Sequence, residues 1–198
     1  MSQQFDSTYT QYQLDRSWLR KQVRQLYLRK AASLVSGPTL DFGCGVGELL
    51  QLLPPGSEGL EYNKATVEHC QSRGLRVQYY DGFADDWAMS VLTEGQRFET
   101  MVISHVLEHL DHPVDKFRKL LAAARPLGIR RVLVIVPGQA GFRFDPTHLT
   151  FVDQDMLIAA VEGTDFTVEH SGYYPGNTRG IGDWFTYHEL QMVFVSGS

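Results

Sequence analysis

In Leu40-Asp41-Phe42-Gly43-Cys44-Gly45-Val46-Gly47-Glu48-Leu49-Leu50 an apolar run ends in a turn with glycine at every second position, and a second apolar run begins beyond it. A strand that turns through glycines into a helix is where open α/β sheets bind nucleotides. Gly43, Gly45 and Gly47 permit positive φ and carry no side chain to block a ligand. The spacing is not that of a dinucleotide site, whose third glycine would fall at Glu48, where a carboxylate would repel a pyrophosphate. An acid leads the loop instead. Asp41 stands at the strand tip, and a second acid, Glu61, ends the next apolar run. A carboxylate in that second place can accept hydrogen bonds from both hydroxyls of a ribose.

Outward from this loop, short apolar runs alternate with helical stretches, the pattern of a parallel sheet with helices on its faces. The runs are 39–42, 59–61, 76–80, 98–103 and 131–136, giving five β/α units. Helices are expected at 47–53, stopped by Pro54-Pro55-Gly56, and from Asn63 as cap to Arg73, with Gly74 in the stop position. A third opens at His112-Pro113 with Val114, Phe117, Leu120, Leu121 and Ala124 on one face, and a fourth runs from Asp153 to Gly163. A helix over 15–36 precedes the first run, and two strands, 166–170 and 189–195, follow as an antiparallel edge. The expected fold is α/β: a three-layer, doubly wound, mostly parallel sheet with an antiparallel C-terminal strand, preceded by an N-terminal helix.

All 198 residues, 43% of them hydrophobic, fit one domain. Within it, 1–37 reads as a helical extension, 38–171 as the ligand-binding core and 172–198 as an aromatic loop with the final strand. A net charge of −5 argues against a nucleic-acid partner. Two cysteines, Cys44 and Cys70, make no disulfide framework. The N-terminus lacks the basic and apolar regions of a secretory signal, and no window approaches the ~18 apolar residues of a membrane span. A cytoplasmic monomer or homodimer is expected.

A negative charge at the first strand tip suits a ligand bearing an ammonium or sulfonium group, and S-adenosyl-L-methionine has both. At this point the stretch 39–170 resembles the class I, Rossmann-like, seven-stranded methyltransferases that use this donor, in particular the small stand-alone domains. Asp41, Gly43, Gly45 and Gly47 match the family's first motif and Glu61 its second. Asp81 matches the acid that bonds the adenine amine, with Phe83 placed to flank the ring. Residues 98–110, ending Ser104-His105-Val106-Leu107-Glu108-His109-Leu110, match the fourth-strand motif, although Glu99 stands where aspartate is commoner. The resemblance implies a donor site of Asp41, Gly43, Cys44, Gly45, Gly47, Glu61, Tyr62, Asp81, Gly82, Phe83, Ser104 and His105.

Methyl transfer is a backside displacement that needs alignment more than acid–base chemistry at the donor; holding reactants at near-attack distance contributes ~7–11 kcal/mol. What remains is removal of a proton from an acceptor oxygen or nitrogen. His148 and His105 are the candidate catalytic residues, as bases or substrate-orienting groups, with His109 behind them. Some methyltransferases of RNA ends or quinones hold a divalent cation here with a Glu-x-x-Glu-His motif. In this chain imidazole replaces the first carboxylate, in His105-Val106-Leu107-Glu108-His109, so that His148 would complete a nitrogen-rich set. The Leu-Glu-His triplet is common in members without metal, and none is expected.

The long aromatic link 172–188, with Tyr173, Tyr174, Arg179, Asp183, Trp184, Phe185 and Tyr187, reads as a wall or lid over the acceptor. Arg143 is a second handle for an anionic acceptor. Arg16, Arg20 and Arg24 share a stripe of the first helix and read as a solvated face. Tyr9, Tyr12 and Trp18 could cover the donor. The leading expectation is methyl transfer to an O or N atom of a small molecule; a macromolecular acceptor and a non-catalytic donor-binding module are the alternatives.

Overall fold

A computed structural model describes residues 18–92 and 96–197, with side chains from Arg24 onward in the first helix. The strands are β1 (Thr39–Phe42), β2 (Glu58–Glu61), β3 (Val77–Tyr79), β4 (Thr100–Ser104), β5 (Arg131–Pro137), β6 (Phe166–Tyr174) and β7 (Glu189–Ser196), and the central ones, β4 and β5, are the most continuously apolar. They make one seven-stranded sheet in the order β3-β2-β1-β4-β5-β7-β6. Pairing is parallel from β3 through β5 and antiparallel where β7 lies between β5 and β6. Strands covered on both faces need no polar alternation, which is why β1 and most of β4 are buried throughout.

The helices are α1 (Trp18–Ala32), α2 (Lys64–Ser72), α3 (Pro113–Ala124), α4 (Gln139–Phe144) and α5 (Gln154–Val161). Successive side chains of β4 supply opposite faces. Met101 and Ile103 join Phe117, Leu120 and Leu121 of α3 in the larger core, whereas Val102 joins Leu28 and Ala31 of α1 in the other. Burying one such leucine stabilises the fold by about 1.5–3 kcal/mol. Phe117 seals the α3 side edge-on against Phe194 of β7, with ring centroids 5.5 Å apart. No helix among the described residues is long and apolar enough to cross a membrane.

The mostly parallel α/β sheet with antiparallel C-terminal strands is the architecture expected from sequence. Several elements differ. The expected helix at 47–53 is only a 3-10 turn, Leu50–Leu52, because Gly47 takes φ +74°, which no right-handed helix holds, and the prolines follow within a turn. Five β/α units are not formed: the segment between β3 and β4 is a set of turns in which Asp86, Trp87 and Met89 have positive φ and Trp87 and Met89 are buried as a plug. β6 continues to Tyr174, so Tyr173 and Tyr174 are strand residues and the aromatic link shrinks to 175–188. α1 stops at Ala32, and α4, unforeseen, follows β5 directly.

Candidate active site

The strand order reverses between β1 and β4, and the crevice outside their carboxyl ends is where open α/β sheets bind ligands. There the glycine turn is pinned to β2. Gly43 and Cys44 N–H groups both donate to the Leu60 carbonyl, at 2.8 and 3.1 Å. Gly43 holds φ +74°, and a Cβ on it would lie 2.5 Å from Val106 Cγ2, so glycine alone lets the turn approach the residues after β4. Glu61 braces the bend: Oε2 accepts from Gly45 N–H at 2.9 Å and Oε1 from Asn63 N–H at 2.7 Å. Burial pushes the Glu61 carboxyl above its ordinary range, against the pull of those N–H groups.

Asp41 is 2% exposed, and its Oδ2 has no hydrogen-bond partner. Burial, then the neighbouring Glu61, push its pKa up to about 7, while Arg24 pulls it down. An ionised carboxylate stripped of water and left half unpaired is destabilising unless a cation meets it. Arg24 does not serve, since its guanidinium is ion-paired with Glu48 at the other end of the loop. That pair also corrects the reading of Arg24 as part of a merely solvated stripe. Asp41 Oδ2 is thus left without a partner among the described residues.

Further along the crevice, Tyr62 lies exposed beside Tyr79, their centroids 6.2 Å apart. Asp81 Oδ1 accepts from the N–H groups of Phe83 and Ala84, at 3.0 and 3.1 Å, and Oδ2 takes no part in these bonds. Phe83 is exposed and packs edge-on against Trp87 at 5.2 Å. Gly82 has a packing reason of its own, because a Cβ there would sit 2.8 Å from the Trp87 ring. Cys44 and Cys70 are free thiols whose sulfurs both approach the Gly45 carbonyl, at 3.7 and 3.4 Å.

Beyond Ser104, the last residue of β4, His105 adopts a left-handed φ of 56°. Its Nδ1–H donates to Glu108 Oε1 at 3.1 Å and its Nε2–H to Glu189 Oε2 at 3.3 Å. Burial of the ring nitrogens works against charging, yet the two carboxylates prevail and hold the pKa up to about 10. The side chain is still 42% exposed, at the mouth of the crevice. An imidazolium with both N–H groups committed has no lone pair for an incoming proton. The contacts of His105 therefore set it against the base role expected from sequence.

The loop after α4 is tied to the same place, because Leu149 and Thr150 N–H groups donate to the Glu108 carbonyl at 2.7 and 3.1 Å. His148 Nδ1–H donates to the Phe142 carbonyl at 2.9 Å, which turns the Nε2 lone pair toward Glu108 Oε1, 4.0 Å away. His109 lies 4.8 Å from His148 between ring centroids, and burial lowers its pKa, keeping it neutral.

A family model described as a methyltransferase domain matches residues 15–171. The chain belongs to this methyltransferase family. The sheet superposes on solved S-adenosylmethionine-dependent methyltransferases at low identity. A SAM-dependent methyltransferase from Archaeoglobus fulgidus aligns with TM-score 0.64 and 20% identity, over 88% of this chain and 94% of that one. Magnesium protoporphyrin IX methyltransferase from Synechocystis PCC 6803, with bound SAH, aligns with TM-score 0.68 and 16% identity, over 98% and 96%. The glycopeptide N-methyltransferase MtfA, complexed with SAM, aligns with TM-score 0.59 and 17% identity, over 87% and 83%. No curated protein matches the chain in sequence. The protein is thus an S-adenosylmethionine-dependent methyltransferase with the class I fold.

In this methyltransferase the expected acceptor residues do not form one group. Tyr173 and Arg179 share a cavity of about 320 Å³ with Asp153, Gln154 and Asp155. Tyr173 also stacks on buried His188, with planes 8° apart. Tyr174 instead packs edge-on against Tyr27 of α1, at 4.9 Å. Arg143 is exposed on α4, and Trp184 is 74% exposed on the aromatic link. Tyr9 and Tyr12 lie outside the described residues, as does the Trp18 side chain. Sequence reasoning missed Glu189. Its signal is a polar residue alternating with Gln191 in an otherwise apolar strand, both buried and joined by a 2.6 Å hydrogen bond.

Proposed function

We propose that this methyltransferase transfers a methyl group from S-adenosylmethionine to an oxygen or nitrogen of a small-molecule acceptor, with the donor held in the crevice at the carboxyl ends of β1, β2 and β4. The observation that carries the donor site is the buried, unpartnered Asp41 Oδ2 beside a side-chain-free turn. The bound donor supplies a methyl carbon on a positively charged sulfur, already activated for displacement. Asp41 offers its carboxylate to the positive charge of the donor. Glu61, whose oxygens keep lone pairs beyond those taken by Gly45 and Asn63, accepts from the ribose hydroxyls. Asp81 accepts from the adenine amine, with Tyr62, Gly82 and Phe83 lining that end and Cys44, Ser104 and His105 the opposite wall.

On the acceptor side His148 positions the nucleophile or takes its proton through Nε2, the nitrogen that its bond to Phe142 leaves free. His105 contributes a fixed positive charge at the mouth. The cavity beside Tyr173 and Arg179 is of the size of a small-ligand site, which favours a metabolite over a polymer. Two free thiols suit a reducing cytoplasm. Calorimetry with S-adenosylhomocysteine tests the donor site, and product formation against pools of small hydroxyl and amine compounds, compared with RNA and protein, tests the acceptor class. Turnover confined to macromolecules would overturn the small-molecule reading.

A further inference from the structure

Glu108 is fully buried at 0% exposure, and its Oε2 has no hydrogen-bond partner, although its Oε1 accepts from His105. His105 cannot neutralise it alone, because the same ring is shared with Glu189. Beside this carboxylate stand two imidazoles whose orientations are fixed from behind. His148 Nδ1–H is spent on the Phe142 carbonyl. His109 Nδ1 faces the Thr147 carbonyl at 3.3 Å and Thr147 Oγ1 at 3.2 Å. The Thr147 hydroxyl proton already goes to Asp145 Oδ1 at 2.7 Å, so the oxygen accepts and His109 Nδ1 must be the donor. Both rings are thereby set in the same tautomer, with Nε2 lone pairs free. A ring N–H on a backbone carbonyl and a bare nitrogen opposite is the arrangement of a metal-ligating histidine.

We propose that Glu108, His109 and His148 form a binding site for a divalent transition-metal ion. One ligand atom from each lies within 4.8 Å of the others. Bonds of about 2.0–2.2 Å place tetrahedral ligands roughly 3.4 Å apart, so a cation must draw together atoms that now lie up to 4.8 Å from one another, a closure of about 1.4 Å at most. Two imidazoles and one carboxylate select zinc, cobalt, nickel or manganese over magnesium or calcium. His105 stays outside the set, both nitrogens being used, and acts as the group that orients Glu108. Three protein ligands leave at least one position open. If the methyl-transfer reading holds, that position receives the acceptor oxygen, whose proton the cation acidifies, and His148 then acts as a ligand rather than as a free base.

The test uses the whole chain, stripped with chelator and titrated with Co²⁺ alone, then with Zn²⁺ in competition. The result expected is one equivalent of visible cobalt absorption of tetrahedral type, bleached by zinc. His109→Ala and His148→Ala should each weaken binding by more than about 100-fold, the upper range seen when only a supporting group is lost. Each variant's fold is checked by its S-adenosylhomocysteine affinity, which should match wild type, and Glu108→Gln gives a third, near-isosteric probe. Wild-type protein that binds S-adenosylhomocysteine yet gives neither cobalt absorption nor heat with Zn²⁺ would overturn the site, as would metal binding undiminished in the histidine variants. Metal binding without S-adenosylhomocysteine binding would support the site and sink the donor reading instead.

Discussion

Asp41→Asn should make the ligand-free protein more stable at pH 8 while destroying donor binding. Burial raises this carboxyl from 3.8 to about 7, a gap worth about 4 kcal/mol at 1.36 kcal/mol per pH unit. The folded protein holds the proton more tightly than the unfolded chain does. Unfolding therefore releases it between pH 3.8 and about 7, and stability falls as the pH rises through that window. Asparagine carries no charge to bury, but its amide leaves a donor unpaired, at a cost of about 1–3 kcal/mol. The difference leaves a net gain of about 2 kcal/mol at pH 8, or roughly 4–8 °C in a domain of this size. At pH 5 the wild-type carboxyl is already neutral and the gain disappears. Urea unfolding of both proteins at the two pH values, with calorimetry against S-adenosylhomocysteine, reads each part. The wild type should also lose about tenfold in donor affinity for every pH unit below 7. A variant destabilised equally at both pH values would refute the idea that a strained anion awaits its ligand here.

Three further outcomes follow from the same geometry. Glu61→Ala removes the brace on Gly45 and Asn63, and should weaken S-adenosylhomocysteine binding by about 100-fold or more and raise hydrogen exchange of the Gly45 amide; unchanged exchange would show that the turn holds itself. His148→Ala should leave donor affinity within about twofold and lower kcat by roughly 10²–10⁴ if Nε2 takes the acceptor's proton, and to a level restored by no added cation if Nε2 is instead a metal ligand, whereas loss of donor affinity would move His148 to the other side of the site. Arg179→Ala should raise KM for an anionic acceptor and spare both kcat and donor Kd, and a fall in kcat alone would contradict its place in the acceptor cavity.

The strand–turn frame around the glycines was legible in the sequence because its determinants are local. Asp41 and Glu61 lie at the ends of consecutive parallel strands, and the glycines that free the turn lie between them, so one short stretch specifies that corner of the sheet. The expected helix at 47–53 failed for an equally local reason, the positive φ of Gly47, which apolar periodicity does not register. Glu189 was hidden by distance along the chain. It reaches His105 only because β7 inserts antiparallel between β5 and β6, pairing Glu189 with Pro137 and Tyr174. The position of His105 could be read from its strand; its charge could not, since that depends on a residue delivered from the far end of the chain.

The β6–β7 hairpin has a consequence for how such enzymes diversify. Its two arms are zipped from Tyr174 opposite Glu189 down to Phe166 opposite Ser196, so the connecting stretch with Arg179 and Trp184 is closed at its root whatever its own length. Doubling a loop costs only about 0.6 kcal/mol in closure entropy. In enzymes of this fold, length can therefore be added to this link without re-closing the hairpin, provided that Gly182 and His188 keep their packing against Gly138 and Gly176.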